Sequence, residues 1–83
     1  MKPGSLPVVY SAPWCGYCIR LKSQMDREGV AYDEVDVDQT PDALPKLEEL
    51  NGGEWIIPTV EFPDGSALVN PSLAAVVAKL NQQ

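Results

Sequence analysis

The apolar positions of this chain fall into two periods, and the switches between them mark the elements. Residues 6–11, Leu-Pro-Val-Val-Tyr-Ser, read as a short buried strand that Pro13 ends. Residues 16–28 change to helical spacing, with Cys18, Leu21 and Met25 on one face and Gly29 as a stop. Residues 31–37 alternate, with Tyr32, Glu34 and Asp36 on one side and Val35 and Val37 on the other, which predicts a second strand. The helix between these strands is a crossover, so they should be parallel.

The next helix is marked by Leu44, Leu47 and Leu50 and ends at Asn51-Gly52-Gly53. Thr40-Pro41 fits a cap followed by a first-turn proline. Pro45 sits late for that start and would remove a hydrogen bond, so a start near Pro45 after a looser turn stays open. Residues 59–62 and 67–69 are short strands joined by Pro63-Asp64-Gly65-Ser66, a turn sequence, and form a hairpin. Asn70-Pro71 is expected to cap a last helix with Leu73, Val76, Val77 and Leu80 as its stripe. The order is βαβαββα, which predicts an α/β fold with a four-stranded mixed sheet and helices on both faces.

The chemistry lies in Cys15-Gly16-Tyr17-Cys18, between the first strand and the first helix. Strand, turn and CxxC opening a helix is the thioredoxin-like redox arrangement. Unpaired N–H groups at a helix start favour an anion, and the thiolate is the form of cysteine that attacks disulfides. Cys15 is therefore the expected nucleophile, with Cys18 one turn on and more buried. Arg20 and Lys22 add modest support to a thiolate, whereas Arg27 reads as a solvated charge.

Length and composition narrow the alternatives. At 83 residues the chain is expected to be one domain, residues 1–83. Two cysteines three positions apart close too short a loop to staple a fold. The chain has no histidine, which removes a histidine base, a histidine metal ligand and a CxxCH haem site, residue 19 being Ile. Two cysteines do not complete a four-cysteine zinc site, so no metal ligands are assigned. The net charge of −6 argues against nucleic acid and anionic membranes as partners. That charge is uneven: residues 33–64 carry ten acids against Lys46, while the first helix is locally basic. No signal peptide is read at the start and no apolar stretch approaches about 20 residues, so a cytoplasmic location is expected.

With these residues placed, the chain resembles the glutaredoxins over residues 6–81. The element order, Trp14-Cys15-Gly16-Tyr17-Cys18 and Ile57-Pro58-Thr59 carry the resemblance. Within that family the strings WCGYC, AYDEVD, NGG, PTV, DGS and NPS resemble the mycoredoxins, which use mycothiol. The chain departs from glutathione-reading glutaredoxins in three places. Ser11-Ala12-Pro13 stands where many carry a basic residue, Ile56-Ile57-Pro58 replaces Thr-Val-Pro, and Leu68-Val69-Asn70-Pro71-Ser72 replaces Gly-Gly-x-Asp. Mycothiol has no free carboxylate or amine, and neutral groups such as Asn70 and Ser72 suit it.

The resemblance implies a thioredoxin-like fold and removal of mycothiol from protein mixed disulfides through Cys15 alone, with Cys18 dispensable. Mycothiol would be the co-substrate, with no bound cofactor. The partners would be mycothiolated proteins and, indirectly, mycothiol disulfide reductase with NADPH, and the chain would act as a monomer. The resemblance also implies a cis Ile57–Pro58 bond that turns the Ile57 backbone toward Cys15 to pair with an incoming cysteine segment. Trp14 and Tyr17 flank the nucleophile as a wall, and Trp55 lines the rim or packs beneath its loop. Asn70 and Ser72 cap helices or bind ligand, two jobs that can coexist. Three other readings stay open: a redoxin served by thioredoxin reductase that feeds ribonucleotide reductase, a [2Fe–2S]-bridging carrier permitted by Gly16, and a glutathione-dependent glutaredoxin.

Overall fold

The computed structural model describes residues 6–53 and 56–82. Its elements are β1 (Val8–Ser11), α1 (Gly16–Arg27), β2 (Asp33–Asp36), a 3-10 turn (Pro41–Ala43), α2 (Leu44–Leu50), β3 (Thr59–Glu61), β4 (Ala67–Val69) and α3 (Leu73–Leu80). The strands form one sheet in the order β2-β1-β3-β4. β1 runs parallel to β2, with Val9 opposite Glu34, and antiparallel to β3, with Val9 opposite Val60. The β3–β4 hairpin is antiparallel, with Val60 opposite Leu68. The expected mixed four-stranded sheet with three helices is therefore the fold.

Strand alternation splits the core into two clusters, because successive side chains point to opposite faces. Val9, Val60 and Phe62 pack with Leu21 and Met25 of α1 and Val76 of α3. Tyr10, Ala12 and Val37 pack with Leu47 of α2, and both cysteines join this second cluster. Tyr32 leans on the first cluster and Val35 on the second, as their alternation requires.

Several boundaries move for local reasons. β1 begins at Val8, since Pro7 has no N–H; its carbonyl still accepts from Asp33 at 2.9 Å. β2 is shorter than residues 31–37, although Val37 still donates to the Ser11 carbonyl at 2.9 Å. α1 closes with Gly29 at φ 71° and a bond from Val30 N–H to the Met25 carbonyl at 2.8 Å. The region around Pro45 resolves as the looser-turn alternative. A 3-10 turn follows Thr40, and α2 starts at Leu44 with Pro45 in its first turn, where its missing donor costs little.

The start of α3 corrects the sequence reading. Ser72, not Asn70-Pro71, is the N-cap, and its hydroxyl accepts from Ala75 N–H at 3.1 Å. Asn70 lies before the helix with φ 46°, a left-handed conformation that asparagine tolerates better than most residues.

Candidate functional site

Cys15 is the N-cap of α1. Its N–H donates to the Ala12 carbonyl at 3.1 Å, which folds the chain from β1 into the helix, and its carbonyl accepts from Ile19 at 3.0 Å. Its sulfur accepts the Cys18 N–H at 3.3 Å, so a sulfur here does what a Ser or Asp oxygen does at most helix starts. Both cysteines are buried free thiols.

The environments of the two thiols differ. Cys18 is fully buried. Burial and its hydrogen bond to Cys15 push the Cys18 thiol up to about 12, so it stays protonated at neutral pH. Lys22 works weakly against that rise. The Lys22 ammonium itself bonds Glu34 on β2, whose carboxylate also accepts from the buried Ser11 hydroxyl at 2.7 Å. Lys22 is thus committed to Glu34, where the sequence offered it as support for Cys15.

The loop before β3 packs beside the thiols' cluster. The Ile57–Pro58 bond is cis, as the resemblance implied. Pro58 is buried, and Ile57 packs on the cluster that contains Cys15 and Cys18. Two side chains missed in the sequence reading hold this loop. Thr59, fully buried, donates its hydroxyl to the Ile56 carbonyl at 2.6 Å, and Asn51 Nδ2 donates to Thr59 Oγ1 at 3.2 Å. Asn70 N–H donates to the Pro58 carbonyl at 2.7 Å, which ties the end of β4 to the same loop. The Thr after a Pro and the Asn closing α2 were the available signals, but only the fold brings them together.

The two aromatics beside Cys15 go different ways. Tyr17 is 68% exposed and lines a groove of about 400 Å³ together with Arg20 and Gln24 of α1 and Asn70 and Ser72 before α3. Trp14 is 63% exposed and is not among the groove's lining residues. Its indole N–H donates to Asp38 Oδ2 at 2.6 Å, so it is held by the loop after β2. The structure therefore gathers Tyr17, Asn70 and Ser72, places Ile57 and Pro58 beside the thiols' cluster, and sets Trp14 apart from the groove. Arg20 and Gln24 are groove residues that the sequence reading did not assign. Their signal was spacing, at i+3 and i+7 from Tyr17 on one helix face. Trp55 lies outside the described residues.

Comparisons with known proteins agree with this geometry. Residues 8–65 match the glutaredoxin family model. A relative from Mycobacterium tuberculosis that bears the glutaredoxin name is 47% identical over 72 residues, covering 87% of this chain and 86% of its own. Mycoredoxin 1 of Corynebacterium glutamicum is 40% identical over 72 residues, covering 87% of this chain and 89% of its own. Among solved structures, glutaredoxin of Archaeoglobus fulgidus aligns with a TM-score of 0.76 at 17% identity, covering 98% of this chain and 90% of that one, a likeness of fold. The buckwheat glutaredoxin–glutathione complex aligns with a TM-score of 0.66 at 30% identity, covering 94% of this chain and 70% of that one. With a thiol pair at a helix start, a cis-proline loop packed beside its cluster and these relatives, the chain belongs to the glutaredoxin family of thiol–disulfide oxidoreductases.

Proposed function

We propose that this protein removes mycothiol from protein mixed disulfides by a monothiol mechanism through Cys15. The observation that carries the reading is the inequality of the two thiols. Cys18 is buried and protonated, and its N–H donates to the Cys15 sulfur. Cys15, at the start of α1 with that donor on its sulfur, is the thiol of the pair left to attack.

In the first step the Cys15 thiolate attacks the mycothiol sulfur of the mixed disulfide. The S–S bond to the protein breaks, the protein leaves as a thiolate that takes a proton from water, and Cys15 carries mycothiol. In the second step the thiolate of a second mycothiol attacks that mycothiol sulfur, releasing mycothiol disulfide and regenerating the Cys15 thiolate. In sum one free mycothiol is oxidised and one protein thiol is released, while the mycothiol carried by the substrate leaves within mycothiol disulfide. Cys18 is not consumed in either step. The Ile57 backbone, beside buried Pro58, offers a strand edge to the incoming cysteine segment, and Tyr17 forms the wall on the groove side.

The choice of mycothiol rests on the neutral polar groups Asn70 and Ser72 at the groove and on similarity to a mycoredoxin. The cytoplasm suits this chemistry, because reducing compartments keep thiols free. The test is reduction of one mixed-disulfide substrate through two NADPH-coupled systems. One contains mycothiol and mycothiol disulfide reductase, the other glutathione and glutathione reductase. Turnover with mycothiol alone supports the reading, and turnover with glutathione alone overturns the choice of thiol.

A further inference from the structure

The groove beside Tyr17 differs in charge from the rest of the molecule. The chain carries a net charge of −6, yet among the described residues no aspartate or glutamate lines this groove, and Arg20 does. The lysines of the described residues are committed: Lys22 to Glu34, Lys46 to Glu61 and Lys79 to Asp64. Among the described residues the Arg20 side chain makes no hydrogen bond or ion pair, and neither does the Gln24 side chain, one turn further along the groove. An unpaired guanidinium beside an acid-free groove on an acidic protein is a place where an acidic group from outside is accepted rather than repelled.

We propose that Arg20 is a specificity residue that receives an acidic side chain of the protein substrate, two positions from its mixed-disulfide cysteine. The inference rests on the reading of Cys15 as nucleophile with the substrate segment laid along Ile57 as a strand. Proximity and alternation set the position. Arg20 lines the groove together with Tyr17, which is two residues from Cys15. A strand repeats its side-chain direction every second residue, so the residues two places from the target cysteine face the protein as its sulfur does, whereas the adjacent residues point away.

An exposed ion pair of this kind sorts substrates more than it binds them. It acts on the first step only, since the second mycothiol brings no acidic side chain. Substrates with an acidic neighbour would be cleared first, and a basic neighbour would slow clearance.

The test uses the full chain and synthetic peptides with one cysteine, flanked two positions away on either side by Glu, Gln or Lys. Each peptide is supplied as its mycothiol and as its glutathione mixed disulfide. The expected result is a kcat/KM for the Glu peptide roughly fivefold above the Lys peptide, carried mainly by KM and lost at high salt. Arg20→Glu should invert that order, and Arg20→Gln should flatten it. Arg27→Glu, the same charge change in the last turn of α1 and away from the groove, should leave it intact. Each protein's preference is read as the ratio of its Glu-peptide to its Lys-peptide rate, so that a change in its turnover of the mixed disulfide of mycothiol with 2-mercaptoethanol, measured alongside, cancels. Equal rates for Glu and Lys peptides, or a preference that survives Arg20→Glu, overturns the proposal. Selective turnover of the glutathione series would overturn the choice of mycothiol instead, and the charge order would then be read on that series.

Discussion

Cys18 gives its backbone N–H to the Cys15 sulfur over 3.3 Å while its own thiol stays protonated. The peptide donor survives any substitution at position 18 except proline. Cys18→Ser also keeps a side-chain donor of similar size. We therefore expect Cys18→Ser to retain turnover of a mycothiolated substrate and Cys15→Ser to abolish it. Equal loss in both variants, measured in the mycothiol-coupled assay, would mean that Cys18 takes part in the cycle.

The buried thiol also predicts an alkaline limit to stability. The Cys18 value is raised from 9.0 in the unfolded chain to about 12, chiefly by burial. A raised value means that the folded state holds the proton more tightly. The contribution is complete below pH 9 and is lost as pH rises through about 12. Tyr10, raised from 10.0 to about 12 by burial and its bond to Glu61, acts in the same direction. Urea unfolding across this range should show a shallower decline for Cys18→Ala than for the wild type. A decline of equal slope would assign the effect to the tyrosines, since Tyr32 is raised by burial as well as Tyr10.

At the acidic end the group to watch is Glu34. Hydrogen bonds from Lys22 and then from Ser11 hold its carboxyl below the ordinary value of 4.5. The contribution is therefore present above that value and is lost as pH falls through the lower folded one. The Glu34 side chain is 41% exposed, so the pair with Lys22 contributes at most about 1 kcal/mol. Glu34→Gln should flatten the acid limb of the unfolding midpoint by that modest amount. An unchanged limb would show that water satisfies Ser11 and Lys22 equally well.

Thr59 carries a larger share. Thr59→Val keeps the shape but leaves the Ile56 carbonyl and the Asn51 amide without their partner. The expected cost is about 1–2 kcal/mol in stability. Because this hydroxyl steadies the loop that holds Ile57, KM for a mixed disulfide should rise more than kcat falls. A drop in stability with unchanged KM would separate the loop's folding role from substrate binding.

Much of this molecule was legible before it folded. The strands, α1 and the hairpin followed from apolar spacing and from Gly29 and Pro63-Asp64-Gly65-Ser66, because those signals are local. The cysteine pair was legible because three-residue spacing at a helix start already fixes its geometry. The start of α3 was misread because Asn-Pro and Ser both qualify as caps, and only the bond from Asn70 to Pro58 draws Asn70 away from the helix. The groove was half legible. Tyr17, Asn70 and Ser72 were named one by one, but Arg20 and Gln24 enter only when α1 and the segment before α3 are packed side by side. Asn51 and Thr59 pair across eight residues through a loop whose path no local pattern sets.

Both thiols belong to the packing between the sheet and α2, in contact with the cluster that includes Leu47 and Val37. Attaching a thiol to Cys15 therefore loads the margin of a core as well as a surface. A closed thermodynamic cycle joins unfolding to exchange, so whatever stability the adduct gains or loses must equal the shift in the protein's appetite for the incoming thiol. A methyl group trimmed from Leu47 thus retunes the exchange equilibrium to the extent that it destabilises the free and the loaded protein unequally, with every groove residue left in place.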